Sequence, residues 1–482
     1  MGDGLKNKMI NGLAWSTVNV FGLQFVQLLI GIFLARILHI EDFGQIGILF
    51  FFIGISTVLI DGGLGQALIR KKDASDIDFS TVFYINFFTS LLIYLILYFS
   101  TPIIVSFFKL STLTTAARIL FLSNIIVSFY YIQNTQLVKK LNFKAIALIN
   151  ILSITVSAIV AVILAIYEYG IWVLVFQQLS FHLARALIFP FFLRWKPALV
   201  FSLDIVKESW KFSIGIFGQS LLNVIFTNIY TLLIGKFDTI RNVGYYTQAN
   251  KYSETVNVAS NSILSAGTFP IFAKVQDDKP RLLRIYRRLV SSITMITFPL
   301  VVFLVLAAKP LIVTLITDKW IESVLLFQLL IISNLFYPIY TININILNAR
   351  GESKNTFKLE IFKKMLIVIS IGATFSFGIK MMLIGLIVAN TCAYIASTFL
   401  IKKSIQHYLR HQLIDIAKTL IIAILIGFFV YLINLTYYPE TVKLIIEAVV
   451  FAMLYLTAIR FVFKEKWTET RLAILKKLSD FR

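Results

Sequence analysis

One recurring unit makes up this chain: an apolar run long enough to cross a bilayer, repeated almost without interruption from end to end. Runs such as SLLIYLILYFSTPIIVSFF and LIVTLITDKWIESVLLFQLLIIS are too continuous for the ten-residue alternation of a barrel. They meet the roughly 20 residues that an α-helical span needs. Spans begin near Ile10, Phe43, Phe79, Leu113, Ala145, Gly170, Phe212, Gly244, Leu289, Ile321, Ile361, Met382, Ile414 and Val442. The expectation is an all-α integral membrane protein of about 14 transmembrane helices, with short connections and no room for a water-soluble domain. Composition agrees, since 58% of the 482 residues are hydrophobic and 14% charged, against roughly 25% charged in soluble domains. A disordered chain, an ordinary soluble enzyme and a disulfide scaffold (Cys392 is the one cysteine) are excluded.

The start, MGDGLKNKMINGLAW, has two lysines but no small-residue cleavage site, and reads as an uncleaved first span rather than a signal peptide. Lys+Arg number 45 against 24 Asp+Glu, a net charge of +21. In a soluble protein that excess would suggest nucleic acid. Here it collects on alternate connections, which include Arg70, Lys71 and Lys72; Lys139, Lys140 and Lys144; Lys274 to Arg288; Arg350, Lys354, Lys358, Lys363 and Lys364; and the tail from Arg460. About 34 cations fall on one side and about 9 on the other, which puts both termini in the cytoplasm.

Segments recur after some 200 residues. FGLQFVQLLIGIFLARILHIEDFGQIG is echoed by FGQSLLNVIFTNIYTLLIGKFDTIRNVGYY, so that Ala35-Arg36 and Gly235-Lys236 each lead to a glycine, Gly44 or Gly244. The expected organisation is two pseudo-symmetric six-helix lobes, 1–200 and 201–410, followed by two further helices and a basic cytoplasmic tail over 411–482. Repeated halves are the architecture of secondary transporters.

Charged residues inside spans are costly to keep there. Arg36 and Arg118 lie near external helix ends, where they either snorkel to the headgroups or draw an anion to a cavity mouth. Gln178, His182 and Arg185 share one stripe at i, i+4 and i+7. That stripe marks either a cavity or an interhelical salt bridge or hydrogen bond. The eighth span is the most polar: Lys251 and Glu254 could neutralise each other, with Asn250, Asn257 and Asn261 on the neighbouring stripe. Gly267 and Pro270 near its end permit a hinge. Amides at Asn19, Gln24, Gln27, Gln219, Asn223, Asn228, Asn343, Asn345 and Asn348 each read as helix-joining bonds, and as a set they could wall a sugar site. Asp61 either caps the turn before the glycines or binds a coupling ion. Deep acids are few apart from Glu254 and Asp61.

No GxxxxGK[ST], HExxH or CxxC pair occurs, so neither ATP hydrolysis, a metal site nor any cofactor is expected, and the chain does not read as an enzyme. Asp76-Ile-Asp78 has the spacing of a sugar-nucleotide metal motif but lies in a short connection.

Five segments, FLARILHIEDFGQIG, DGGLGQALIRKKDASDIDFSTVFYIN, YGIWVLVFQQL, FPIFAKVQDDKPRLLRIYRR and ILNARGESKNTFKLEIFKK, resemble the Wzx-type flippases of the multidrug/oligosaccharidyl-lipid/polysaccharide superfamily, in the colanic-acid-exporter-like branch. The resemblance implies a flippase of the bacterial plasma membrane that moves an undecaprenyl-diphosphate-linked oligosaccharide between leaflets by alternating access. It implies a cationic central cavity, for which Arg36, Arg118, Arg185 and Lys251 are suited, with Gln178, His182, Gln24, Asn223, Asn250 and Asn257 beside them. It also implies a proton or sodium gradient as driving force, with Glu254 or Asp61 as candidates for coupling, and polysaccharide polymerase and assembly machinery as partners. The alternative is a multidrug or cation antiporter of the same fold.

Overall fold

The computed structural model describes residues 3–110, 113–265, 268–406, 408–434 and 438–462, and among them it is helical with no strand. Gly267, Lys464 and the rest of the basic tail lie outside the described residues, as do the side chains of Asn261 and Pro270. Packing divides the chain into two compact units, Met1–Gln248 and Ala249–Arg482.

The first unit holds α1 (Asp3–Ile37), α2 (Ile40–Asp61), α3 (Leu64–Arg70), α4 (Asp76–Phe107), α5 (Thr114–Phe121), α6 (Ser123–Lys139), α7 (Phe143–Ile166), α8 (Ile171–Phe192), α9 (Leu203–Phe237) and the first turns of α10 (Ile240–Ser265). α7 lies between α1 and α8, α4 packs on α6, and α2 packs on α9. Local chemistry sets the boundaries. α2 opens on a capping box in which the Asp42 carboxylate accepts the His39 N–H at 3.1 Å. It ends where Gly62 and Gly63 turn left-handed, at φ 54 and 77. The Asp76-Ile-Asp78 motif proves to be a helix start: Ser75 and Asp78 form a capping box, and Asp76 accepts the Trp195 indole N–H at 3.3 Å.

The second unit holds the rest of α10, α11 (Thr268–Lys274), α12 (Lys279–Leu306), α13 (Ala308–Ile316), α14 (Ser323–Ser333), α15 (Tyr337–Ala349), α16 (Ser353–Thr374), α17 (Gly378–Ile405), α18 (Leu409–Asn434) and α19 (Glu440–Val462). Its core gathers Phe272, Tyr286, Phe298, Ile342, Ile346, Tyr394 and Ile401. Threaded through that core is a closed polar network. Tyr286 donates to Asn343 (2.9 Å), Asn343 donates to Ser397 (2.8 Å), and Tyr394 donates to Gln412 (2.9 Å). The Gln412 amide in turn donates to the Tyr286 hydroxyl. Buried amides satisfied in this way fix helix register.

The element pattern repeats. α1 and α9 are both 35 residues, α3 and α11 both seven, and the α1–α2 junction at Ile37 and Ile40 recurs as Phe237 and Ile240. Large apolar groups remain uncovered on the outer faces, with Phe99 and Ile103 each 72% exposed, as helices solvated by lipid require. Among the described residues, twelve segments are long and apolar enough to cross a membrane, against about 14 expected. One of the twelve, Ser353–Lys402, contains α16 and most of α17, and the polar α10 is not among them.

Candidate functional site

Enclosed cations occur in both units. In the first, α8 and α6 bring the expected stripe together with a residue that sequence reasoning missed. The Gln178 amide nitrogen lies 2.8 Å from Nε2 of His182, whose Nδ1 is 2.7 Å from the Tyr130 hydroxyl. With Gln178 donating, the imidazole carries its proton on Nδ1 and donates to Tyr130. Arg185 Nη1 makes a longer bond to the same hydroxyl, at 3.4 Å. The guanidinium lies 4.5 Å from the Tyr130 ring centroid and 5.6 Å from each of Phe181 and Phe189.

Cation–π contacts of this kind contribute about 0.5–2 kcal/mol each, less than the desolvation cost of a charge in a span. No carboxylate pairs with Arg185 among the described residues, and its Nε is buried without a hydrogen-bond partner. The site is therefore a rigid aromatic cradle around a fork of donors that is not fully used. The one signal for Tyr130 was its place in the polar stretch SNIIVSFYYIQNTQ.

In the second unit α10 and α16 supply the charges. Lys251 and Glu254 do not neutralise each other: among the described residues Lys251 is in no ion pair, and the residue is exposed. Glu254 is hydrogen-bonded to Asn257 and lies within electrostatic reach of Lys363. The sequence reading grouped Lys363 with a basic connection. Instead it lies inside α16, with its Nζ 4.9 Å from the Tyr340 ring centroid and 5.3 Å from that of Tyr337. Tyr340 donates to Glu360 at 2.8 Å, and a small cavity is lined by Tyr337, Tyr340, Lys363, Asn390 and Ser333.

The remaining expected residues are dispersed. Arg118 donates Nε to the Tyr98 carbonyl at 3.2 Å and lies 4.2 Å from that ring, which ties α5 to α4. Arg36 is exposed in the last turn of α1, Gln24 is half-buried on the same helix, and Asn223 is exposed on α9. Asn250 and Asn257 are half-buried on α10. Asp61 accepts the Gly65 N–H at 3.0 Å, bridging the glycine turn. Several amides join helices: Asn150 to Asn19 (2.9 Å), Asn345 to Thr268 (2.7 Å), and Thr356 to Asn348 (2.9 Å).

Comparison with known proteins gives a consistent family. Residues 33–325 match the family described as polysaccharide biosynthesis protein. The chain is 23% identical over 355 residues to the teichuronic acid biosynthesis protein TuaB of Bacillus subtilis (strain 168), covering 73% of this chain and 74% of that one. It is 25% identical over 369 residues to the lipopolysaccharide biosynthesis protein WzxC of Escherichia coli (strain K12), covering 76% and 74%. The fold is similar to that of lipid II flippase MurJ in an inward closed conformation, with a TM-score of 0.75 at 16% identity over 93% of this chain and 99% of that one.

Proposed function

The chain belongs to the polysaccharide biosynthesis protein family, and from that premise we propose that it is a flippase for an undecaprenyl-diphosphate-linked oligosaccharide. It works by alternating access in the bacterial plasma membrane and serves polysaccharide export. One observation carries this reading: Arg185 keeps a guanidinium inside a span with, among the described residues, no carboxylate partner and Nε unused. A diphosphate supplies what that group lacks, two or more charged acceptors in the plane of the fork. Within the second unit Lys251 is an exposed cation with no ion pair among the described residues. The names of TuaB, a teichuronic acid biosynthesis protein, and WzxC, a lipopolysaccharide biosynthesis protein, support the substrate class.

The proposed topology has 14 spans and both termini in the cytoplasm. Counting α16 and α17 separately and adding α10 to the other segments supports that number. The proposed lobes are 1–200 and 201–410, with 411–482 appended, and the recurrence of element lengths supports them. A proton or sodium gradient drives the cycle. Of the two acids first considered, Glu254 is the better coupling candidate, because Asp61 is occupied in its turn.

The test reconstitutes the full chain in vesicles with a fluorescent polyprenyl-diphosphate oligosaccharide and measures its transfer between leaflets. Wild type should transfer it, Arg185→Ala should be slowed at least about tenfold, and Arg185→Lys should fall between, having charge without the fork. Transfer by Arg185→Ala at the wild-type rate would overturn the reading.

A further inference from the structure

The last helix carries an ionisable group that the proposed function leaves unused. α19 presents Lys443, Glu447, Phe451 and Tyr455 at successive i+4 positions, and all four are buried. The lower part of this stripe packs on Ile426 and Val430 of α18 and on Val302 and Phe303 of α12. Tyr455 donates its hydroxyl to the Met295 carbonyl at 2.6 Å, so the stripe is held facing the helices it packs against. Glu447 is 0% exposed, and neither of its carboxylate oxygens has a hydrogen-bond partner.

The charges around it are few. On its own helix Glu440 and Lys443 act on it. α13 packs against α19 and brings Lys309, which is committed to Glu440 at 3.2 Å. The charged residues of α18 and α12 lie in their first turns, away from the stripe, and Arg287 of α12 is paired there with Asp415 of α18 at 2.9 Å. Among the described residues no donor is hydrogen-bonded to the Glu447 oxygens, and Lys443 acts on them only through its charge. Ionised, the group would carry a cost of leaving water that no hydrogen bond offsets and Lys443 offsets only in part; protonated, it leaves one hydroxyl unsatisfied. A metal ion would need several oxygen ligands, and among the described residues no three of His, Cys, Asp and Glu come together.

We propose that Glu447 is a proton-binding site. It holds a proton while α19 is packed as described. When water enters between α19 and its neighbours, the O–H bond breaks, the electron pair stays on the carboxylate, and the proton leaves to water. Lys443, one turn away, then stabilises the anion. Use of this site in driving transport rests on the flippase reading; its existence does not.

The experiment is an infrared titration of the full chain in lipid nanodiscs from about pH 4 to about pH 10, following the protonated carboxyl C=O band. Wild type should show a titrating band that Glu447→Gln, which has the shape of the protonated acid, removes. Glu447→Asp should shift the band rather than abolish it. In vesicles that transfer the lipid, an imposed pH difference should change the wild-type rate severalfold and the Glu447→Gln rate by a smaller factor. The same titration in wild type and Glu447→Gln, or a Glu447 band that never titrates, would overturn the proposal. A Glu447-dependent titration in a protein that transfers no lipid would leave the site standing and remove the flippase reading instead.

Discussion

Gly44 and Gly244 meet at one helix crossing and play the same part in it. A Cβ placed on Gly44 would run into the Ile240 carbonyl oxygen and lie 3.0 Å from the Gly244 nitrogen. One placed on Gly244 would run into the Ile40 carbonyl oxygen and lie 2.7 Å from Ile40 Cγ2. The obstructing atoms are mostly backbone, so the first turns of α2 and α10 approach this closely only because both positions lack a side chain. Around the crossing, Glu41 and Arg241 face each other at 3.8 Å.

Gly44→Ala and Gly244→Ala should each force the two helices apart, at a cost of about 1–3 kcal/mol. Gly215→Ala on α9, where nothing lies within 4 Å, should be neutral. Thermal unfolding of the purified variants checks this. Equal midpoints for all three would mean that the crossing is not close-packed in solution.

The cradle around Arg185 predicts discrimination between headgroups. Wild type should bind a polyprenyl diphosphate about tenfold more tightly than the monophosphate, because the fork can engage both phosphoryl groups. Tyr130→Phe keeps the ring under the guanidinium but removes the hydroxyl that holds Arg185 and His182, and should narrow the preference without abolishing binding. Binding titrations with the two lipids decide it, and equal affinity in wild type would count against diphosphate recognition.

Lys251 and Lys363 should separate. Lys251→Met breaks no ion pair and should leave stability within about 0.5 kcal/mol of wild type. Lys363→Met removes a cation that interacts with both Glu254 and Glu360 and should destabilise by on the order of 1 kcal/mol. Adding Glu254→Gln to Lys363→Met should recover part of that loss. A double variant less stable than Lys363→Met would show that the two groups do not interact.

Lys71, between α3 and α4, donates to Asp78 at 2.9 Å and to Glu208 at 3.1 Å, and these bonds hold its ammonium above the ordinary value of 10.5. Its contribution is therefore complete below that ordinary value and is lost as pH rises through the higher folded one. Wild type should lose stability over that alkaline range, and Lys71→Met should show a flatter profile. Parallel profiles would remove the link.

Much of the architecture was legible in the chain itself. Apolar runs of bilayer length dictate helices, because a backbone in lipid must satisfy its own hydrogen bonds. The spacing of Ala35-Arg36 and Gly44 against Gly235-Lys236 and Gly244 foretold a junction that recurs at Ile37–Ile40 and Phe237–Ile240. The Gln178, His182 and Arg185 stripe was legible for the same reason, since one helix face follows from a period of 3.6.

Partnership was not legible, because it is set across helices far apart in sequence. Periodicity could not tell that Tyr130 would answer His182 and Arg185, that Lys363 would act on Glu254, or that Asn343 would bond to Tyr286 and Ser397. Nor could it mark Glu447, one acid in an apolar run, as a buried carboxyl with no hydrogen-bond partner among the described residues. The sequence by itself determined which residues must be helical and in membrane. Only the packing of those helices decided which polar groups are satisfied and which remain open to bind something else, because a buried group's free energy depends on the atoms that reach it.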